Sequence, residues 1–282
     1  MSDSPIPSIV LMGAGGKMGL RLSANLARTA YPVRHVEVSE RGREALAARG
    51  ISVVDQETAF DGADAVILAI PDKLIGPVSH QIAPRLRSGA LLVVLDAAAP
   101  HAGEMPDRDD LSIFVTHPCH PPVIHDETAP EAQLDFFGGV HARQHIVCAL
   151  MRGPEEAYTA GEAIARAIFA PVMRAHRCTV EQMAILEPVL SETVAATCMM
   201  VMREAVDEAE RRGVPRQAAL DFLIGHLKVE IGIAFELFEG ARFSDGALQA
   251  IERAKVDLFQ PDWKKVFEPD AVRASVASIV AR

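Results

Sequence analysis

The sequence predicts an α/β protein: a Rossmann-type doubly wound sheet followed by an all-helical C-terminal domain. Three observations carry the prediction. Short apolar runs alternate with amphipathic segments through the first half, a glycine-rich turn follows the first run, and from about residue 180 onward only helical periodicity remains. The runs are SIVLMG (8–13), VRHVEV (33–38), DAVILAI (64–70), GALLVVLD (89–96), LSIFVTH (111–117) and QHIVCAL (144–150). They are apolar at odd and even positions alike, as strands covered on both faces of a parallel sheet must be. Segments such as KMGLRLSANLARTA and RGREALAARG lie between them and are long enough to be crossover helices.

The texture changes after PVMRAHRCTV (171–180). One long apolar-periodic stretch runs from Glu181 to about Gly213 and stops at Gly213 and Pro215, as a helix should. Further helical segments follow over 216–239, 244–257 and 268–281, with no convincing strand among them. The expected division is a dinucleotide-binding domain over 1–179 and a helical substrate and dimerisation domain over 180–282. The long helix is rich in Met, Ala and Val and apolar on most sides, so it must be buried in its own core or against a second copy. A domain of about a hundred residues can hardly wrap such a helix, which makes a homodimer the expected state.

A chain of 282 residues that is 49% hydrophobic has room for two cores. A net charge of −10 with no run of Lys or Arg excludes a nucleic-acid groove and an anionic membrane surface, since both need clustered cations. The expected partner is a small molecule. Cys119, Cys148, Cys178 and Cys198 are widely spaced with no C-x-x-C, which gives neither a disulfide framework nor a thiolate zinc site and points to the reducing cytoplasm. The segment MSDSPIPS lacks the basic and apolar regions of a signal peptide, and no uninterrupted apolar stretch approaches the length that spans a bilayer, so no membrane partner is expected.

The first run leads into GAGGKMG, residues 13–19. Gly13, Gly15, Gly16 and Gly19 let the chain turn tightly and let backbone N–H groups, including those of Lys17 and Met18, approach a pyrophosphate at the positive end of the next helix. The spacing is G-x-x-G-x-x-G rather than G-x-G-x-x-G, and position carries the reading: this is the first strand-to-helix turn, and Glu37 lies eighteen residues past Gly19 at the end of the second strand. A carboxylate there accepts the ribose hydroxyls and repels a 2′-phosphate, so NAD is expected over NADP. Glu40 is the alternative acid, and Arg41 and Arg43 leave NADP open. A tight turn beside a surface glutamate is the alternative, which the two features in register disfavour.

Pro71 and Asp72 close the run AVILAIPD, Asp96 closes LLVVLDAAA and His117 closes IFVTH, so three polar side chains end successive strands at the edge where such sheets bind ligands. Pro71 and Asp72 are placed beside the cofactor. The stretch THPCHPPVIHDE (116–127) then concentrates three histidines, a cysteine and two acids among three prolines, yet its spacing fits no closed zinc site.

These residues resemble the 6-phosphogluconate/β-hydroxyacid dehydrogenase superfamily. The resemblance rests on GAGGKMG, AVILAIPD, a His-Pro at the end of a later strand and the helical half with REAVDEAERRGVP and SDGALQAIERA, and so covers nearly the whole chain; VTHP adds a likeness to prephenate dehydrogenase. Within the superfamily the chain resembles the NAD-dependent D-apionate oxidoisomerase group, whose members are often labelled semialdehyde dehydrogenases. One departure stands out. The resemblance implies a catalytic lysine early in the long helix, near residues 187–188, and Glu187 occupies that slot. A carboxylate cannot stabilise a developing alkoxide as a lysine does, so a divalent metal, Zn²⁺ or Mg²⁺, is expected to supply the charge, held by His117, Glu187 and substrate oxygens across the cleft. His117 and Glu187 are thus the expected catalytic and metal residues. His120, His125 and Asp126 are weaker candidates, and Glu192 falls about 140° from Glu187 on a regular helix. His226 and Glu230, at i and i+4, form a surface pair or reach a partner's site.

The resemblance implies a two-stage reaction on a small sugar acid. NAD takes hydride from the carbon next to the carboxylate, and a hydroxymethyl group then migrates, giving a branched 3-oxo acid. A β-hydroxyacid or prephenate-type dehydrogenase without rearrangement is the alternative, and a protein that senses NAD without turnover is a third reading.

Overall fold

The computed structural model describes residues 6–281. Strand β1 (Ile9–Met12) leads through the glycine turn into α1 (Lys17–Leu26), followed by β2 (Val33–Val36), α2 (Glu40–Ala47), α3 (Gln56–Ala59), β3 (Ala65–Leu68), α4 (Asp72–Ile82), β4 (Leu91–Val94) and α5 (Ala98–His101). Then come β5 (Ser112–Pro118), α6 (Pro130–Gln133), β6 (Gln144–Arg152), α7 (Glu155–Ile168) and β7 (Val172–Arg177). The seven strands form one sheet in the order β2-β1-β3-β4-β5-β6-β7. Every residue of β1, β3 and β4 is buried, which is why these runs are apolar on both parities.

Two features depart from the expected parallel sheet. Strand β6 runs antiparallel to β5, because the connection between them holds only the four-residue α6 and therefore no crossover helix to carry the chain back. Strand β7, parallel to β6, was not expected at all. It is the sheet's edge, and Met173, Arg174, His176 and Arg177 are exposed, so its sequence lacks the apolar signature of the interior strands. The main core gathers about Phe114, Leu22, Leu26, Ile164 and Ile168. Helix α7 packs closely onto β5 through Gly161, where an added Cβ would come within 2.4 Å of the Phe114 ring.

The long helix begins at α8 (Val180–Ala184), whose start is fixed by a capping box between Thr179 and Gln182. It continues as a π-helix over Ile185–Ala196 and as α9 (Thr197–Arg211). Pro188 sits inside the π segment; it has no N–H and its ring crowds the preceding turn, which the wider i to i+5 register relieves. The single regular helix expected over 181–213 is therefore interrupted, and the angular argument that set Glu192 apart from Glu187 does not hold in π register. By length and composition Val180–Arg211 is also apolar enough to cross a membrane, although no uninterrupted apolar run of that length is apparent in the sequence; only 11% of its most apolar window is buried. Helices α10 (Arg216–Ala234), α11 (Asp245–Leu258) and α12 (Pro269–Val280) follow.

The chain forms two compact units. The first extends through Glu187 and takes up the chain again from Arg273, and the second is Pro188–Val272. In the second, α9 packs against α10, and Phe222, Val229, Phe235, Leu258 and other large apolar side chains are exposed.

Candidate active site

The glycine turn is built by close approach. Gly13 has φ +68°, and a Cβ there would lie 2.3 Å from the Ala69 carbonyl oxygen. A Cβ on Gly15 would lie 2.3 Å from the carbonyl oxygen of Gly42, and one on Gly19 would lie 2.1 Å from that of Gly13. Gly16 is less constrained but is the N-cap of α1, where no side chain caps the helix and no acid occupies the first turn. The amides of Lys17 and Met18 thus begin a helix whose own first turn carries no acid, a fit for a pyrophosphate.

Glu37 is 7% exposed and closes this turn from the side. Its Oε2 accepts from the Gly15 N–H at 2.9 Å, and its Oε1 accepts from the N–H groups of Val38 (2.9 Å) and Ser39 (2.8 Å) and from the Ser39 hydroxyl (2.9 Å). Burial pushes its pKa up, but the bonds from Ser39, Gly15 and Val38 outweigh burial and hold it below the usual glutamate value, so the group is ionised. Beside it lies a pocket of about 350 Å³ lined by Val36, Glu37, Val38, Arg43 and residues 53–56. The Arg43 Nε donates to the Glu37 carbonyl oxygen at 2.9 Å, while Glu40 is exposed at the start of α2. Gly42, not singled out from the sequence, is part of this construction: a Cβ there would meet the Glu37 carboxyl carbon at 2.5 Å.

At the C-terminal edge of the sheet, Pro71 caps α4 and Asp72 is its first residue. Burial raises the Asp72 pKa, and the charges of Asp96 and Glu187 add to the rise against an opposing effect of His117. The Asp96 Oδ1 accepts from the Ala98 N–H at 2.6 Å, and its Oδ2 stands 3.9 Å from His117 Nδ1. Asp96 and Glu187 thus stand at the two ring nitrogens of His117, and Asp72 feels the charges of all three.

The orientation of His117 is the central feature. Its Nδ1 lies 2.9 Å from the Leu95 carbonyl oxygen, which can only accept, so Nδ1 carries a hydrogen. In the neutral ring Nε2 then holds a lone pair, and it faces Glu187 Oε2 at 3.4 Å. Two acceptors face each other there, an arrangement that calls for a cation or a proton between them. An imidazole whose far nitrogen donates to a backbone carbonyl is also oriented as a metal ligand is. Among the described residues, no group of three or more His, Cys, Asp or Glu side chains is arranged to hold a metal ion, so a cation here draws its other ligands from water or substrate.

The rest of the histidine-rich loop divides. His125 Nδ1 accepts from the Glu127 N–H at 3.2 Å and Asp126 pairs with Arg143, so both brace the loop. Burial, with Cys178 and Glu187 nearby, raises the Cys119 thiol, which stays protonated at neutral pH. His120 is in the left-handed backbone region at φ 61°, with its ring edge-on to that of His117 at 6.1 Å. His226 Nδ1 contacts the Phe222 carbonyl oxygen of its own helix at 2.8 Å and the ring stacks on Phe222 at 4.0 Å, with Glu230 exposed.

With this geometry in place, residues 8–104 match the NAD binding domain of 6-phosphogluconate dehydrogenase and residues 125–280 match the C-terminal domain of phosphogluconate dehydrogenase (decarboxylating). The D-apionate oxidoisomerase of Cupriavidus necator is 53% identical over 96% of this chain and 98% of its own length, and that of Rhizobium rhizogenes is 54% identical over the same shares. A crystal structure of a semialdehyde dehydrogenase NAD-binding protein from Cupriavidus necator, in complex with calcium and NAD, is 53% identical, with a TM-score of 0.95 covering 97% of this chain and 99% of that one.

Proposed function

Because the chain belongs to the 6-phosphogluconate dehydrogenase family, together with the D-apionate oxidoisomerases, we propose that it is an NAD-dependent oxidoisomerase of a small branched polyhydroxy acid, with D-apionate as substrate. The observation that carries the site is the lone pair of His117 Nε2 facing the Glu187 carboxylate at 3.4 Å where related dehydrogenases place a lysine. The glycine turn and Glu37 bind the dinucleotide at pyrophosphate and ribose. His117 Nε2 and Glu187 Oε2 would hold a divalent cation, and the carbonyl of Leu95 keeps the imidazole in the required tautomer.

When bound, NAD would be the hydride acceptor and the cation would supply positive charge to polarise the substrate oxygens. In the first stage the C2 hydroxyl loses its proton and C2 loses hydride, leaving a 2-oxo acid beside a tertiary alcohol. In the second the tertiary hydroxyl gives up its proton and a hydroxymethyl group moves with its bonding pair from C3 to C2. C3 becomes the ketone and the C2 oxygen takes the proton. Atoms and charge balance, and the second stage consumes no oxidant. Asp72 and Asp96 add negative charge that favours a cation at Nε2.

A second reading uses the same contact without metal: His117 Nε2 takes the hydroxyl proton and Glu187 orients the ring. We also propose a homodimer through the apolar helix Val180–Arg211, which a single chain leaves largely uncovered. The function is tested by mixing the purified protein with NAD, a divalent cation and carbon-13-labelled D-apionate. Reduced cofactor together with a rearranged carbon skeleton is expected. Reduced cofactor with the original skeleton would favour a plain dehydrogenase, and no reduced cofactor an NAD-sensing protein.

A further inference from the structure

We infer that His120 is a substrate-contacting residue, whose Nε2 accepts a hydrogen bond from a hydroxyl on the carbon chain beyond the reacting centre; this rests on the polyhydroxy-acid reading above. Only His120 and Glu236 among the described non-glycine residues have positive φ, and His120 lies beside the imidazole at the centre of the candidate site. A left-handed backbone is uncommon for any residue but glycine, although histidine is among the residues that enter it most readily, and here the contacts of the ring with its surroundings hold it in place.

Those surroundings are rigid. His120 Nδ1 lies 2.9 Å from the Phe137 carbonyl oxygen, and its ring meets the Phe137 ring edge-on at 5.9 Å. The turn that presents this carbonyl is fastened at several points. Asp135 accepts from the N–H groups of Val140, His141 and Ala142 and pairs with Arg21 at 3.1 Å, and Asn25 Nδ2 donates to the Gly139 carbonyl oxygen at 2.8 Å. A carbonyl oxygen only accepts, so Nδ1 carries the hydrogen and the neutral ring presents a lone pair at Nε2. His117 and His120 thus share one design: each gives Nδ1 to a backbone carbonyl, and each keeps Nε2 for something else.

What the position demands structurally, asparagine supplies. Asn tolerates the left-handed region, and its amide nitrogen stands close to where Nδ1 stands, able to donate to the Phe137 carbonyl. Nε2 is what histidine adds. With ring centroids 6.1 Å apart, the two imidazoles suit different atoms of one small substrate: His117 faces the reacting oxygens with Glu187, and His120 faces a hydroxyl further along the chain.

His120→Asn therefore isolates Nε2. The readouts are kcat and KM for D-apionate and the inhibition constant of 2-hydroxy-3-methylbutanoate, which has the carboxylate and C2 hydroxyl but no hydroxyl beyond them. Removing one neutral hydrogen bond should raise KM about tenfold, while the inhibition constant and NAD affinity change less than twofold. An unchanged KM, or an inhibition constant that rises as far as KM, would overturn the inference by making His120 structural. If His120→Asn does not fold, His120→Gly accepts the same backbone and also removes Nε2, and the same comparison applies. No reduced cofactor from the wild-type protein would instead sink the oxidoisomerase reading, and the role of His120 with it.

Discussion

Glu37 has two tasks, and they can be separated by substitution. It accepts the N–H of Gly15, fixing the glycine turn, and it presents a carboxylate to the adjoining pocket. Glu37→Gln removes the charge that repels a 2′-phosphate and weakens the acceptor, so NAD affinity should fall about tenfold, the worth of one good hydrogen bond, while the preference over NADP narrows. Cofactor titration by fluorescence reads both. Burial would raise Asp135, but the amides of His141, Ala142 and Val140, with Arg21, bring it below the ordinary value. A carboxylate depressed on folding adds stability that is fully present above its unfolded pKa, near 3.9, and is lost as pH falls through its folded value. Asp135→Asn should cost about 1–3 kcal/mol at pH 7 for the buried donors left weakly paired, with a smaller loss at acid pH, in denaturant unfolding. Asp72 is the opposite case: its raised pKa means ionisation opposes folding as pH rises past the unfolded value, so Asp72→Asn should raise the Tm of the metal-free protein at pH 7 and leave it nearly unchanged near pH 3. The positions of Glu37 and His117 at strand ends were legible because each closes an apolar run at a fixed place in the pattern. Gly42 and the φ of His120 were not, because each answers to a neighbour distant in sequence or to a turn that only folding assembles.

The elements divide along a physical line. The interior strands could be read directly, since burial on both faces leaves continuous apolar runs, whereas β7 could not, because an edge strand pairs through its backbone and leaves Arg174, His176 and Arg177 in water. Nor does periodicity report strand direction; β6 reverses because of the connection that precedes it. The existence of the long helix was clear from its apolar stretch, but apolar periodicity does not mark the π register of Ile185–Ala196, within which Pro188 sits. Met199, Met200 and Val201 on this helix are 49%, 49% and 44% exposed. If a second copy covers them, Met200→Lys with Val201→Asp should halve the mass in light scattering at micromolar concentration and leave NAD binding nearly intact. A wild-type protein already monomeric under those conditions would remove the argument for the homodimer.

At the scale of the molecule, cofactor and chemistry are served by different atoms. On the proposed reading the glycine turn and Glu37 hold the dinucleotide, while His117, near the end of β5, and Glu187 serve the reacting oxygens. A cation at Nε2 should therefore be removable without loss of NAD. The most direct measurement is turnover of D-apionate, alongside NAD binding by calorimetry, after exhaustive dialysis against a chelator and again after one divalent cation is restored. The account predicts that dialysis removes more than nine-tenths of the activity, about the effect of 1.4 kcal/mol or more, that NAD affinity is unchanged, and that the cation restores turnover in the wild type but not in His117→Ala or Glu187→Ala. Full activity in the dialysed, metal-free protein would contradict it and leave His117 as a metal-free base.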